Sequence, residues 1–295
     1  MKSPAKSSVL LIHGDAVDLG KHVPAKSAEL AYLDPPFNVG VAFRARRGAV
    51  AYDDRWPSLE IYLAWLEERI VVVRDLLSSE GTMWLHLDHR AIHEAKVVCD
   101  RVFGRDAFIG EIIWLPGNGS KARRGPGATH QTIVLYARSK NFIWNGDDPA
   151  LRAPFAKTSL AMHFKNKDAD GRAFRIRKIN GKSYKYFAGE GRALGSVWSD
   201  CPSMTANTPL RKESTGYPTQ KPLKLLDRIV RASSSEGGLV IDPFCGSGTT
   251  LEAAAKLNRR AVGSDIGEAS IATIEKRLQN ACIPFSRPLS AEHRR

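Results

Sequence analysis

The sequence predicts an α/β fold built on a mostly parallel sheet and interrupted by an inserted region. Three observations carry this reading. Apolar runs of strand length alternate with stretches of helical spacing up to about residue 144. The alternation fails from 145 to 216, where Gly, Pro, Ser, Lys and Arg dominate, and it resumes from 217 onward. Strands joined through helices run parallel, because each crossover returns the chain to the end of the sheet from which it started.

Taken in order, Val9–Ile12 reads as a short buried strand that ends in the turn His13-Gly14-Asp15. Ala28–Leu33 is a second strand, closed by Asp34-Pro35-Pro36, since proline cannot donate to a ladder. From Trp56 to Leu77 apolar residues recur at helical spacing: Ile61, Leu63, Trp65, Leu66, Ile70, Val73 and Leu77. Gly81–Leu87 is the next strand, Ala91–Phe103 a helix, and Ile109–Leu115 and Gln131–Ala137 two further strands. Scattered aromatics in the insert (Phe155, Phe164, Phe174, Tyr184, Tyr186, Phe187 and Trp198) favour an irregular module with a small core over a disordered linker. Beyond it come a helix at Pro222–Ala232, a strand at Gly238–Asp242, a helix at Thr249–Leu257, a strand at Arg260–Asp265 and a helix at Ala269–Asn280, with a frayed tail from Pro284. The expected division is 1–144, 145–216 and 217–295.

Apolar residues make up 43% of the 295, enough for a substantial core, and no apolar run approaches the ~18–20 residues that would cross a bilayer. Nothing after Met1–Lys6 has the apolar stretch of a signal peptide, so a cytoplasmic protein without membrane contact is expected. Cys99, Cys201, Cys245 and Cys282 form no Cys-x-x-Cys pair and have no histidines at zinc-ligand spacing, which predicts reduced thiols and no metal. The net charge of +13 points to a polyanionic partner, and its distribution sharpens the point. Residues 151–216 hold 13 Lys and Arg against 5 Asp and Glu, so more than half of the surplus sits in under a quarter of the chain. A solvated loop region is the plain alternative to a phosphate-contacting surface.

Two motifs carry chemistry. Asp34-Pro35-Pro36-Phe37 ends a strand, where open parallel sheets place their ligands. The lone pair of an exocyclic amine on a base is delocalised into the ring, which makes it a poor nucleophile. A carboxylate (Asp34) accepting one N–H and a backbone carbonyl (Pro35) accepting the other would pull that nitrogen toward tetrahedral geometry, while Phe37 offers a face for an extruded base. Alone, the motif could equally be an ordinary strand-ending turn. The second is the run Val240–Thr250, a buried strand that enters a glycine-rich turn and then a helix. It lacks the third glycine of a dinucleotide fingerprint and the Lys-Ser/Thr pair of a phosphate loop, which argues against a pyrophosphate ligand. Asp265, 23 residues beyond Asp242 at the end of the next strand, is placed to accept the hydroxyls of a ribose. Glycine turn plus ribose acid indicates a nucleoside-containing cofactor.

In combination these motifs resemble the β-group of amino-methylating DNA methyltransferases, which act on adenine N6 or cytosine N4. In that family an Asp/Ser-Pro-Pro-aromatic motif precedes the target-recognition region and the cofactor motif comes last. Thr215–Pro222 (Thr-Gly-Tyr-Pro-Thr-Gln-Lys-Pro) and Val197-Trp198-Ser199-Asp200 add to the likeness, which spans roughly 9–143 and 196–280. The resemblance implies a circularly permuted, Rossmann-like fold that binds S-adenosylmethionine, with 145–216 as the target-recognition insert. It implies that Phe244, Gly246, Ser247 and Gly248 wrap the methionine portion and that Asp265 holds the ribose, with Asp15 near the adenine and Thr219 and Lys221 near the methionine carboxylate. Asp34, Asp242, Cys245, Thr249 and Ile266 are further cofactor-binding residues that it implies. Phe37 stands where family members often carry Tyr, which keeps stacking but removes a hydroxyl.

Aspartate in the first catalytic position is typical of adenine-N6 enzymes and serine of cytosine-N4 enzymes, so adenine N6 is the reading and cytosine N4 the alternative. Cytosine C5 chemistry needs a nucleophilic cysteine after proline, and no Pro-Cys dipeptide occurs. Double-stranded DNA is the expected partner. Contacts are expected from Arg44, Arg46 and Arg47 after the catalytic loop, from Lys121, Arg123 and Arg124, and from Arg175, Arg177, Lys178, Lys182 and Lys185 in the insert. The resemblance also brings in a second copy of the chain and a cognate restriction endonuclease as partners. Two competing readings are an RNA or protein amide methyltransferase, against which the motif order argues, and a DNA-binding subunit with a decayed site, against which both intact motifs argue.

Overall fold

The computed structural model describes residues 9–44, 50–117, 119, 122–204 and 212–288. They fall into two compact units, Met1–Trp144 with Ser196–Arg295, and Asn145–Gly195. The larger unit begins with β1 (Val9–His13) and β2 (Ala28–Leu33), followed by a hairpin of β3 (Ala42–Arg44) and β4 (Val50–Asp53). Next come α1 (Leu59–Leu76), β5 (Leu77–Leu87), α2 (Ile92–Phe103), β6 (Phe108–Trp114) and β7 (Gln131–Ala137). The smaller unit holds β8 (Arg152–Ala153), α3 (Lys157–His163), β9 (Asn166–Lys167), β10 (Ala173–Ile179), β11 (Lys182–Phe187) and β12 (Arg192–Ala193). The chain then returns with β13 (Val197–Trp198), α4 (Leu223–Ser233), β14 (Leu239–Asp242), α5 (Thr249–Lys256), β15 (Arg260–Asp265), α6 (Glu268–Asn280) and β16 (Phe285–Ser286).

Among the described residues, nine strands make one sheet in the order β13-β6-β7-β5-β2-β14-β15-β1-β16. Only β7 runs against its neighbours, so the sheet is mostly parallel, as the sequence predicts. The order brings the two halves of the chain together at the centre. Strand β14 pairs with β2, Val240 opposite Leu30 and Ile241 opposite Ala31, although more than 200 residues separate them. Strand β15 then pairs with β1, with His13 opposite Asp265. The carboxyl ends of β2, β14, β15 and β1 therefore converge, and each of these ends carries an acidic residue of the expected site.

The central strands are buried on both faces, which is why Leu30–Leu33 of β2 and 239–241 of β14 read as unbroken apolar runs. Helix α1 starts at Ser58, whose hydroxyl accepts the Ile61 N–H at 3.3 Å. It buries Tyr62, Leu66, Ile70 and Val73 against Ala31, Leu33, Met83 and Leu85 of the sheet. This face is one position away from part of the apolar set read from the sequence: Ile61 is 51% exposed, whereas Tyr62 is fully buried. Hydropathy favours the aliphatic neighbour over a residue with a polar tip, and packing reverses the choice.

Three other expectations are corrected. The smaller unit ends at Gly195, against the expected 216, because Val197–Trp198 adds a parallel edge strand beside Ile113–Trp114 of β6. The insert is not irregular: β9, β10 and β11 form an antiparallel sheet whose hairpin turns at Asn180-Gly181, both at positive φ (48° and 78°). That dipeptide is a strong hairpin signal and was legible in the sequence. The C-terminal tail does not fray at once, since Phe285–Ser286 pairs with Val9–Leu10 as an edge strand.

Candidate active site

The chain leaves β2 at Asp34, whose carboxylate receives the Lys221 ammonium at 2.6 Å on each oxygen. The pair is largely enclosed, with side chains 18% and 7% exposed. Burial pushes the Asp34 carboxyl above its ordinary range, and Lys221 draws it back down. Lys221 also lies 5.0 Å from the centre of the Phe37 ring. Its backbone carbonyl accepts the Thr249 hydroxyl at 3.1 Å, which ties it to the first turn of α5.

The rest of the Asp34–Phe37 motif is held by residues that sequence reasoning missed. The Tyr62 hydroxyl donates to the Pro36 carbonyl at 2.8 Å. Asp54, with no exposed surface, accepts the backbone N–H groups of Phe37, Asn38 and Val39 at 3.0, 2.8 and 3.1 Å and the Trp56 indole N–H at 3.2 Å. Three successive N–H groups converge on one anion because Asn38 takes a left-handed conformation, φ 59°, which folds the backbone into a nest. No signal in Tyr52-Asp53-Asp54-Arg55 distinguishes this carboxylate from its exposed neighbour Asp53. The Phe37 ring rests 6.0 Å from His86, a fully buried imidazole whose Nδ1 is 2.7 Å from the Tyr32 hydroxyl and whose basicity burial strongly lowers.

The glycine turn follows β14. Asp242 closes it by accepting the Phe244 N–H at 2.9 Å, and burial pushes its carboxyl up to about 7. Gly246 (φ 51°) and Gly248 (φ 78°) take backbone conformations that L side chains adopt at a cost. A Cβ on Gly246 would also press on the Tyr217 ring at 3.3 Å. Asp265 accepts the N–H groups of Gly246 and Gly267 at 2.8 and 2.9 Å, one on each oxygen. Each oxygen keeps a lone pair for a further donor. Asp15 is gripped by Arg69 at 2.6 Å, and that guanidinium lies 4.2 Å above the Trp65 ring, which in turn packs on Phe244.

All of the expected catalytic and cofactor residues except Gly248 line one cavity of about 990 Å³. It also takes in Tyr52, whose hydroxyl is 3.2 Å from that of Thr219, and on another wall Trp114 and Gln131. Gly248 stands outside the lining: it caps the start of α5 in a left-handed conformation and faces Ile274. Lys221, expected near the methionine carboxylate, directs its ammonium to Asp34.

The expected DNA contacts are sorted less evenly. Arg46, Arg47 and Lys121 lie outside the described residues. Arg44 ends β3 and is exposed, as are Arg123 and Arg124. In the smaller unit Arg177, Lys178 and Lys182 are exposed. Arg175 instead sits 5.0–5.6 Å from the rings of Phe155, Phe164 and Tyr186, and Lys185 lies 3.9 Å from the centre of Phe174.

Comparison with known proteins agrees with this geometry. A DNA methylase family model covering N6 and N4 methyltransferases matches residues 28–276. The type II methyltransferase M.EcaI of Enterobacter cloacae is 32% identical over 303 residues, spanning 87% of this chain and 66% of that protein. The DNA adenine methyltransferase YhdJ of Escherichia coli K12 is 29% identical over 273 residues, 92% of this chain and 83% of its own. In fold, the chain resembles a DNA modification methylase from Thermus thermophilus complexed with S-adenosyl-L-methionine (TM-score 0.56, 20% identity, 94% and 97% of the two chains). The family match covers the Asp34–Phe37 motif, the glycine turn and Asp265 together, so the chain belongs to the N6/N4 DNA methylase family.

Proposed function

We propose that the chain methylates the exocyclic N6 amine of adenine in double-stranded DNA, in the cytoplasm, with S-adenosylmethionine as methyl donor. The observation that carries this is the single cavity shared by Asp34 and by the glycine turn with Asp265. Small-molecule sites run to ~300–1,000 Å³, so about 990 Å³ accommodates a nucleoside cofactor and a flipped base together. The residues fit the cofactor: Asp265 has acceptor capacity for ribose hydroxyls, Gly246 lets backbone approach closely, and Asp15, held by Arg69, lines the same cavity as Trp65 and Phe244. Bound there, S-adenosylmethionine supplies a methyl group activated by its sulfonium.

Asp34 accepts one N–H of the target amine. The Pro35 carbonyl would accept the other N–H, and the Tyr62 hydroxyl, donating to the neighbouring Pro36 carbonyl, holds the tetrapeptide in place. Lys221 must yield at least one Asp34 oxygen to the incoming amine. On taking the methyl group that the cofactor supplies, the nitrogen must shed a proton, and the Asp34 carboxylate, made more basic by burial, would accept it. Phe37 stacks on the extruded ring. Chromatography of nucleosides from duplex DNA treated with the protein and labelled cofactor tests the reading. 6-Methyladenine is expected; 4-methylcytosine would move the assignment to the other branch of the family, and label in RNA or protein alone would overturn it.

A further inference from the structure

In the hairpin of β10 and β11, directly opposed residues share a face. The register pairs Arg175 with Tyr186, Ile176 with Lys185, Arg177 with Tyr184, Lys178 with Ser183 and Ile179 with Lys182. At its root both faces are covered. Arg175 is half-buried among Phe155, Phe164 and Tyr186, with its Nε buried and lacking a hydrogen-bond partner among the described residues. On the other face Lys185 and Arg172 lie over Phe187, and Lys185 over Phe174 as well. Beyond the root the ribbon changes character. Residues 176–185 are exposed on both faces, including Ile176 (56%), Ile179 (41%) and Tyr184 (44%). Residues 173–187 carry five lysines and arginines and no acid. A two-stranded ribbon bare on both faces is only marginally stable by itself, and three apolar side chains among cations gain nothing from water.

We propose that the outer half of this hairpin, residues 176–184, enters the major groove of the duplex. Arg177, Lys178 and Lys182 would contact phosphates and base edges, and Ile176, Ile179 and Tyr184 would supply apolar contacts, while Arg175 and Lys185 stay behind as packing at the root. The inference rests on the reading of the chain as a methylase of duplex DNA and adds to it the element that engages the groove. The dimensions agree. From Ile176 to the turn the strand advances roughly 10–13 Å at ~3.4 Å per residue, enough to reach the floor of a groove ~8.5 Å deep. Paired strands with side chains fit a major groove ~12 Å wide but not a minor groove ~6 Å wide, and β-ribbons are established major-groove readers.

The test uses the full chain and two groups of substitutions at exposed positions, so that folding is preserved and checked by thermal melting. In the first group Arg177, Lys178 and Lys182 are each replaced by Ala together; in the second, Ile179→Ser is combined with Tyr184→Ser. Binding of a duplex of random sequence, about three helical turns long, is measured across a salt series, cofactor binding by calorimetry, and methylation sites in a random duplex library by single-molecule sequencing. The triple variant is expected to bind duplex at least ~10-fold more weakly and to lose about 2–3 from the slope of log K against log salt, at ~0.9 per phosphate contact. The double variant is expected to keep that slope and to relax site preference. Unchanged slope and site preference in both, with methyl transfer intact, would overturn the hairpin assignment and leave the methylase reading standing. Equal competition by single-stranded RNA of the same length would overturn it as well. Loss of cofactor binding in the parent protein would instead strike the methylase reading itself.

Discussion

Asp54 offers the sharpest test of how the catalytic loop is held. Its carboxylate takes Phe37 and Val39 N–H on one oxygen, and Asn38 N–H and the Trp56 indole on the other, in a place with no exposed surface. Asp54→Asn keeps the shape but turns an amide N–H2 toward two of those donors. Each buried donor left without an acceptor costs about 1–3 kcal/mol. Because the loop borders the cavity and water can reach it once loosened, the lower half of that range applies, and the expected destabilisation is about 2–4 kcal/mol. The catalytic consequence is separable from the stability loss. Phe37 and the Pro35 carbonyl belong to the same loop, and a displacement of about 1 Å at a reacting centre costs on the order of 10²-fold in rate. Urea denaturation, calorimetry of cofactor binding and steady-state kinetics on duplex DNA are the assays. A fall in kcat of roughly 10–100-fold with cofactor affinity preserved is expected, since Asp265 and Gly246 are untouched. If kcat holds at the parental value while stability drops, the nest is scaffolding only and the reasoning is refuted.

Asp34→Ala should abolish methyl transfer and leave cofactor binding in place, as read by label incorporation and calorimetry; substantial turnover would remove the carboxylate from the mechanism. Asp265→Ala should weaken cofactor binding at least ~10-fold by calorimetry, because the ribose acceptor and the anchor of the Gly246 turn are lost together. Lys221→Met removes the group that draws the Asp34 carboxyl down, so that carboxyl rises further and the acid limb of the kcat/KM profile should move to higher pH; an unmoved limb would show that the ion pair does not set Asp34. Asp242, pushed up to about 7 by burial, keeps its proton in the folded chain and loses it on unfolding between about pH 4 and 7. Its contribution is therefore full at acid pH and lost as pH rises through about 7, and chemical denaturation across about pH 5–8 should show a steeper decline in the parent than in Asp242→Asn.

Much of the fold was legible because the physics that places central strands is local. Runs such as Ala28–Leu33 and Leu239–Asp242 have to be buried on both faces, and that requirement is written in consecutive residues. The acids at the strand ends were legible for the same reason, each following its run directly. What escaped was everything fixed by partners distant in sequence. Asp54 and Asp53 are indistinguishable as letters, and only the left-handed turn at Asn38 separates a buried anion from an exposed one. Tyr62 escaped because its hydroxyl hides its role as both core residue and donor to Pro36. Arg175 reads as a free cation until the aromatic rings around it are placed. The hairpin is a different case, since Asn180-Gly181 states it openly and the density of Lys and Arg draws the reading toward loop.

The contact between Asp34 and Lys221 ties together the two stretches of sequence that flank the inserted unit. Asp34 lies before the insert and Lys221 after it, 187 residues on, and β2 and β14 bring them side by side. Lys221 is held at its backbone by Thr249, whose hydroxyl also accepts from Arg277 of α6 at 2.6 Å. A displacement of the cofactor turn therefore reaches the catalytic carboxylate through a single residue. An ammonium is a stronger donor to carboxylate than a neutral amine, so the target base does not simply occupy a vacant acceptor. On the proposed reading it would have to compete with Lys221, helped by stacking on Phe37 and by the second acceptor at Pro35. An amine presented without a planar ring, such as a lysine side chain or free ammonia, lacks the stacking contribution and leaves the ion pair closed. On the proposed reading, the Asp34–Lys221 pair would discriminate against amines that are not part of a base.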